Sequence, residues 1–282
     1  MTLLRVLAYN LYFGGTDRVD AILAVLRHVD ADVVALMEAD NARVVAMLAE
    51  GLGMRHVWER GSGERHIATL SRFPIVESRI YKTPPLTQAV LETRLEVPHP
   101  PTPSPETGSS VSGDANAGRG GEAITIYNVH FLPYLLLPYE IRRWQAAGRL
   151  LGVIRSRRPG PHLILGDLNA IAPRDRVLQR NNPPRMRRVM ALQLNLIFRL
   201  AIPRLLRAGY VDCFRRLHPG EDGFTWRPGN RTTRYDYILA DPIMAPALRA
   251  CRVVDGVEAV NVASDHFPLL AEFDLHAVKR DA

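Results

Sequence analysis

The chain predicts an α/β fold of mixed sheets covered by helices, and two patterns in its 282 residues carry that prediction. Strand, amphipathic helix and strand alternate near the N-terminus and again over residues 123–170, which layers helices on a sheet. Between these regions the runs MRHVWER, HIATLSRFPI, VESRIYK and QAVLETRLEV follow one another from Met54 to Val97 without a helix. They call for antiparallel hairpins and exclude a simple doubly wound parallel sheet. With 47% hydrophobic and 23% charged residues the chain can fill one large core, so residues 1–282 are read as a single domain.

Leu3 to Asn10 is a buried strand ending in a polar residue, and the turn-rich YFGGTD follows. Asp17 is placed to N-cap a helix whose apolar side carries Val19, Ile22, Leu23, Val25 and Leu26. Val33 to Met37 form the next buried strand, with Glu38 at its end and a helix from Asp40 to Glu50 beyond. After the hairpin strands, residues 99–121 are rich in Pro, Ser and Gly, with Val111 their one large apolar residue. They cannot bury enough surface to order themselves and are read as a flexible insertion between neighbouring strands.

AITIYNVHFLP resumes the sheet, with Asn128 and His130 on one face by the two-residue period. A helix from Tyr139 to Arg157 leads to the strand LILGDLNA, Leu163 to Ala170. The segment between Arg185 and Arg207 reads as one helix, apolar from Val189 to Ile202 apart from Gln193, Asn195 and Arg199, and interrupted at Pro203. Packing on the core is favoured for it over an interfacial membrane helix or a lid, and it is too short to span a bilayer. RPGN then turns the chain into RYDYILA, and ASDHFPLL leads into the last strand.

The net charge of +7 is almost wholly arginine, Lys82 and Lys279 being the only lysines. It invites a polyanion, either nucleic acid or an anionic membrane surface, although codon bias toward arginine would give the same charge. Trp226 and Tyr235 interleave with one arginine cluster, which is thin support for base stacking. Cys213 and Cys251 fit neither a disulfide framework nor a metal cluster and suit a reducing compartment or thiols that simply pack. The chain opens directly into a strand without signal-peptide zones and has no run of transmembrane length, so a cytoplasmic monomer is expected.

Candidate site residues gather at strand ends. By strand alternation Asp167 and Asn169 leave LILGDLNA on one face, although a helix cap and a turn asparagine describe them equally well. Asn10 and Glu38 end two further strands as oxygen donors, or serve as a turn asparagine and a carboxylate at a helix start. Asp236 is a carboxylate in an apolar run, costly unless paired, and His266 is its expected partner. His130 taken singly reads as a core or rim histidine satisfied by a neighbour.

The ordered set of Tyr9 and Asn10, Glu38 in ALMEAD, Asn128 and His130 in YNVHF, Asp167 and Asn169 in LGDLNA, Asp236 in RYDYIL, and Asp265 and His266 in SDHFP resembles the endonuclease/exonuclease/phosphatase superfamily. The resemblance implies a four-layer α/β sandwich: two mixed, mostly antiparallel sheets packed face to face with helices outside. It also implies hydrolysis of a phosphate ester at one edge of the sandwich with a divalent metal, Mg²⁺ or Mn²⁺ in its place. Glu38, Asp265 and the neutral Asn10 would hold that metal, as hard oxygens suited to an ion that keeps several waters. Asp167 would orient or deprotonate the attacking water, and Asn169 would donate to the pentacoordinate phosphorus centre. His266, held by Asp236, would meet a phosphate oxygen, with His130 on the opposite wall near the leaving oxygen.

YNVHF carries a histidine where abasic-site endonucleases have a tyrosine-containing motif, and looks more like the deoxyribonuclease, sphingomyelinase and phosphatase branches. A nuclease or general phosphodiesterase is therefore expected first, with Arg174 to Arg188 and Arg227 to Arg234 available to a nucleic-acid backbone. The alternative is a lipid or small-molecule phosphodiesterase or phosphatase with peripheral membrane contact through 186–207. A catalytically silent binding module is disfavoured because every expected position holds a competent residue.

Overall fold

The computed structural model describes residues 3–86, 89–97 and 122–278, so the insertion read at 99–121 lies outside the described residues. The strands in chain order are β1 (Leu3–Asn10), β2 (Val33–Met37), β3 (Arg55–Glu59), β4 (Ile67–Ser71), β5 (Ile75–Tyr81), β6 (Ala89–Val97), β7 (Glu122–His130), β8 (His162–Asp167), β9 (Val211–Asp212), β10 (Asp236–Ala240), β11 (Leu248–Val253) and β12 (Leu269–Asp274). The helices are α1 (Val19–Val29), α2 (Ala42–Leu52), α3 (Leu137–Arg157), α4 (Pro184–Ala191), α5 (Ala201–Arg207), α6 (Cys213–Leu217) and α7 (Val260–Ala263). One sheet runs β11-β12-β1-β2-β4-β3 and the other β5-β6-β7-β8-β10-β9. Each has one parallel pair near its centre, β1 with β2 and β7 with β8, among antiparallel neighbours.

Strand alternation decides what lies between the sheets. Leu4, Val6 and Ala8 of β1, Val33, Ala35 and Met37 of β2, Ile124 and Ile126 of β7, and Leu163 and Leu165 of β8 share the central core. On the outer face of the first sheet Leu7 and Leu36 meet Ile22 and Val25 of α1 and Val45 and Leu48 of α2. On that of the second, Tyr127 and Ile164 meet Ala147 and Leu150 of α3 and Ile202 and Leu205 of α5. Helices, sheet, sheet and helices make the expected four layers. Counting on by twos along the inward-facing positions reaches Asn10, Asn128, His130 and Asp167 where the strands end, so the polar site continues the core at one lip of the sandwich.

Local expectations change in three places. Asp17 does not cap α1: Phe13–Arg18 form a 3-10 turn that runs straight into the helix, and the preceding Arg18 makes no side-chain cap. α2 starts at Ala42, two residues later than read, because Asn41 caps it by accepting from the Arg43 N–H at 3.0 Å. The segment 186–207 is not one helix either. α4 ends at Ala191, Leu194 and Asn195 take left-handed conformations, and non-helical chain leads to α5. The Gln193 amide ties this turn by donating to the Leu135 and Leu196 carbonyls at 2.7 and 2.8 Å. Met190, Ile202 and Leu205 are buried as expected of a core stripe, whereas Leu192, Leu194 and Leu196 face solvent. Pro203 does not interrupt α5, since as its third residue it lacks only an N–H that would have no partner inside the helix.

Cys213 and Cys251 are free and buried. Among the described residues no helix is long and apolar enough to cross a membrane. Arg234, fully buried just before β10, donates to Asp175 at 2.9 Å and to both carboxylate oxygens of Asp212 at 2.9 and 2.6 Å. An Arg234→Met variant would take away the buried cation shared by the two carboxylates, leaving Asp175 to the Arg215 guanidinium and Asp212 to the Arg215 N–H, and is expected to lose about 3 kcal/mol. Its urea midpoint reads this directly, and an unchanged midpoint would mean that water already reaches those carboxylates.

Candidate active site

β8 delivers Asp167 to the lip because Gly166 lets β7 come unusually close. At Gly166, φ is +144°, and a Cβ there would lie 1.9 Å from the Val129 carbonyl oxygen, which belongs to its partner across the parallel ladder. The same ladder pairs His130 with Asp167, and the antiparallel β8–β10 ladder pairs Asp167 with Asp236. Three chemistry-bearing residues thus stand side by side on three adjacent strands.

Asp167 is the hub. Its Oδ2 accepts from Asn10 Nδ2 at 3.0 Å and lies 3.8 Å from Nε2 of both His130 and His266. Its Oδ1 accepts from the Asn169 N–H at 2.9 Å. β8 ends at Asp167 and Asn169 has φ 47°, so strand alternation is not what brings Asn169 in; a turn closed by the Asp167 carboxylate does. Asn169 Nδ2 then donates to the Phe131 carbonyl at 3.1 Å.

His266 Nδ1 pairs with Asp236 Oδ2 at 2.7 Å, as expected, and this leaves Nε2 directed toward Asp167. Ser264 donates to the Asn10 carbonyl at 2.6 Å and ties the loop before β12 to the end of β1. Asn128 donates across the sandwich to the Leu36 and Ala68 carbonyls at 3.1 and 2.7 Å, so it pins the two sheets together beside the site.

Asn10, Glu38 and Asp265 adjoin this cluster, Asp265 through Oδ1 at 3.9 Å from His266 Nε2. Glu38, at φ 49°, accepts from the Phe13 N–H at 2.9 Å, lies 3.6 Å from Arg65 Nε and is 3.5 Å from Asn10 Nδ2. Asp265 accepts from Trp226 Nε1 at 3.2 Å through one oxygen, while its buried Oδ1 has no hydrogen-bond partner. All eight expected residues therefore lie in one contact network at the lip. A separate cleft of about 620 Å³, bordered by Leu178, His218, Asn230 and Arg231 among others, is lined by none of them.

Sequence reasoning missed Arg65, which also pairs with Asp40 at 2.6 Å, because it sits in the patternless loop GSGERH. It also missed the contact of Trp226 with Asp265. The half-buried indole donates to Asp265, and Tyr235 is buried, which removes Tyr235 from any stacking surface.

The profile of the Endonuclease/Exonuclease/phosphatase family matches residues 7–266. The chain belongs to that family. Members of the endonuclease/exonuclease/phosphatase family are phosphoesterase hydrolases. No curated protein matches the chain in sequence. Solved structures do match in fold: a 3′ phosphatase, NExo, from Neisseria bound to product DNA hairpin is 19% identical with a TM-score of 0.68, covering 96% of this chain and 99% of that one. An AP endonuclease from Archaeoglobus fulgidus is 19% identical with a TM-score of 0.65 over the same shares. A humanised D. rerio TDP2 is 15% identical with a TM-score of 0.64, again over 96% and 99%.

At this candidate site of the endonuclease/exonuclease/phosphatase family chain, burial and charge set the protons. Burial, reinforced by Asp236, lifts the Asp167 carboxyl to about 8 against the pull of His266 and the Asn10 and Asn169 hydrogen bonds. Burial alone would depress His266, but Asp236 beside it, helped by Asp167 and Asp265, raises the imidazole to about 10. Burial and the His266 charge push His130 down to about 3, so it is neutral. Burial raises Asp265 as well, opposed by His266 and Trp226.

These shifts give a pH test in metal-free protein. The Asp167 contribution to stability is complete below an unfolded value of about 4 and is lost as pH rises toward 8; that of His266 is complete below about 6.5 and is lost as pH rises through 10. His130 acts in the opposite sense only below about 6.5. Between pH 6.5 and 8 the protein should therefore lose stability, and Asp167→Asn should flatten that fall by roughly 1 kcal/mol. Urea midpoints in EDTA at the two pH values measure it; equal slopes in the two proteins would contradict a raised Asp167.

Proposed function

We propose that the chain is a divalent-metal-dependent phosphodiesterase that cleaves a P–O bond by in-line attack of water. The observation that carries this reading is the position of Asp167, a carboxylate in contact with Asn10 on the side of Glu38 and Asp265 and flanked by two imidazoles. Two donor sets could receive a metal. Asp167, Asp236 and His266 bring ligand atoms within 4.8 Å of one another, but His266 spends Nδ1 on Asp236 and its raised pKa favours an imidazolium, which is no ligand. Asn10, Glu38 and Asp265 fit better: the set is oxygen-rich and free of an imidazolium, and Asp265 Oδ1 accepts no hydrogen bond, with His266 Nε2 3.9 Å away. Mg²⁺ held there, or Mn²⁺ in its place, would neutralise charge on the phosphoryl and leaving oxygens.

The chain's own groups supply the rest. A carboxylate whose proton affinity is raised by burial is a competent base, so Asp167 takes the proton of the attacking water as the water oxygen bonds to phosphorus. The imidazolium of His266, held by Asp236, stabilises charge on a non-bridging oxygen. Asn169 has a second amide hydrogen beyond the one given to Phe131, and it is available to the same centre. His130 is neutral and acts as a hydrogen-bonding imidazole beside the leaving oxygen, not as a cation.

Nucleic acid is the first substrate class, supported by the basic charge and by the nucleases in the family. A lipid phosphodiester is the second, favoured by the solvent-facing Leu192 and Leu194 near the site. Mg²⁺-dependent hydrolysis across plasmid DNA, single-stranded RNA, bis-p-nitrophenyl phosphate, p-nitrophenyl phosphate, sphingomyelin vesicles and a soluble inositol phosphate discriminates them. Cleavage of nucleic acid that vanishes in Asp167→Asn supports the first. Turnover confined to lipid or small esters supports the second, and no metal-dependent turnover of any substrate refutes both.

A further inference from the structure

Beyond the side chains assigned to the hydrolysis lies an exposed apolar surface. Leu192 and Leu194, on the turn after α4, are 86% and 81% exposed, and Leu196 and Leu200 follow them into solvent. This turn abuts the start of α3, because the Gln193 side chain accepts from the Leu137 N–H at 3.3 Å and donates to the Leu135 carbonyl. α3 presents Leu137, Ile141 and Trp144 there, four and three residues apart and so on one helix face, all of them exposed. Tyr134, four residues past His130 and also exposed, carries the apolar surface to the rim of the site. Two separate chain segments build this patch, so a reading of 186–207 alone could not find it.

Its charge is one-sided. Between Asp175 and Asp212 the chain has eight arginines, no lysine and no acidic residue. Arg185, Arg187 and Arg188 are exposed on α4, as is Arg142 beside Ile141. Glu140, the only acid of α3, is buried against Arg143 and accepts from the Leu200 and Ala201 N–H groups at 2.6 and 2.9 Å. Arg204 lies over the Trp144 ring at 4.1 Å in space left by Gly148, where a Cβ would come within 2.4 Å of the guanidinium.

Leucines projecting singly from a turn do not form a groove for a peptide, and they give nothing to a phosphate backbone that arginines alone would bind. Together with indole and phenol rings and an all-positive rim, they match a partner that is anionic at its surface and apolar just beneath. We propose that this face docks the protein on an anionic lipid bilayer, the leucines entering the acyl boundary and the arginines meeting headgroup phosphates. The buried Glu140–Arg143 pair fixes the site relative to that surface: Arg143 also donates to the Leu132 and Tyr134 carbonyls, both at 2.8 Å, in the loop that leaves His130.

This inference concerns binding and stands whether or not the phosphodiesterase reading holds. Its test is sedimentation of the full chain with vesicles of phosphatidylcholine alone and with phosphatidylserine added. The expected result is salt-sensitive binding to the phosphatidylserine vesicles that falls at least about tenfold in a Leu192→Glu/Leu194→Glu variant and also falls in Ile141→Glu. These side chains are exposed, so an unchanged circular-dichroism melt should accompany the loss. No binding to the anionic vesicles, or binding that survives the leucine substitutions, would overturn the proposal. So would a wild-type dimer that the same variant splits, or duplex DNA binding that disappears with the leucines.

Discussion

Turnover by an Asp167→Asn variant is expected to fall by about 10²–10⁴-fold, with a thermal midpoint close to that of the parent. Asparagine keeps the shape of the side chain, and its one oxygen can keep the Asn169 N–H bond, while its NH2 takes the place of the oxygen that accepts from Asn10. What disappears is the basic carboxylate. Because burial disfavours its charge, replacing it with a neutral amide removes a cost to the fold that offsets the lost Asn10 bond, while removing the group proposed to accept the proton of water. Steady-state hydrolysis of bis-p-nitrophenyl phosphate and a thermal melt on the same preparation check both halves. Activity near that of the parent would give the base to another group, and a large drop in melting temperature would mean that Asp167 is chiefly a structural acceptor.

Gly166→Ala is expected to destabilise the fold by roughly 3–5 kcal/mol, enough to lower the yield of soluble protein. The new methyl would sit 1.9 Å from the Val129 carbonyl oxygen at a φ of +144°, so β7 must move away or the peptide must rotate. Neither is cheap at the next-to-last rung of a parallel pair that is buried on both faces, and both disturb the adjoining His130–Asp167 rung. Denaturant unfolding measures the loss. A midpoint close to the parent's would show that this strand pair can open without disturbing the core.

The layers were legible because they rest on periodicity. The inward alternation of β1, β2, β7 and β8, the helical stripe of α1 and the run of hairpin strands are local patterns that survive packing unchanged. The polar strand ends were legible for the same reason, Asp236 with His266 above all, since a carboxylate in an apolar strand must find a partner. Where backbone leaves regular periods, sequence reading failed. The left-handed turn at Leu194 and Asn195 split an apolar run that read as one helix, and Asn169 came to the site by a turn rather than by alternation. Arg65 and Trp226 reach Glu38 and Asp265 from distant loops, and no local pattern announces such contacts.

The most direct test of the phosphodiesterase reading is a Mg²⁺ titration of bis-p-nitrophenyl phosphate hydrolysis after EDTA treatment, run on the parent, Glu38→Gln and Asp167→Asn. The reading predicts that the parent regains turnover with Mg²⁺, that Glu38→Gln needs much more Mg²⁺ to do so, and that Asp167→Asn stays inactive at any concentration. Hydrolysis that persists in EDTA, or a Glu38→Gln titration identical to the parent's, would contradict it.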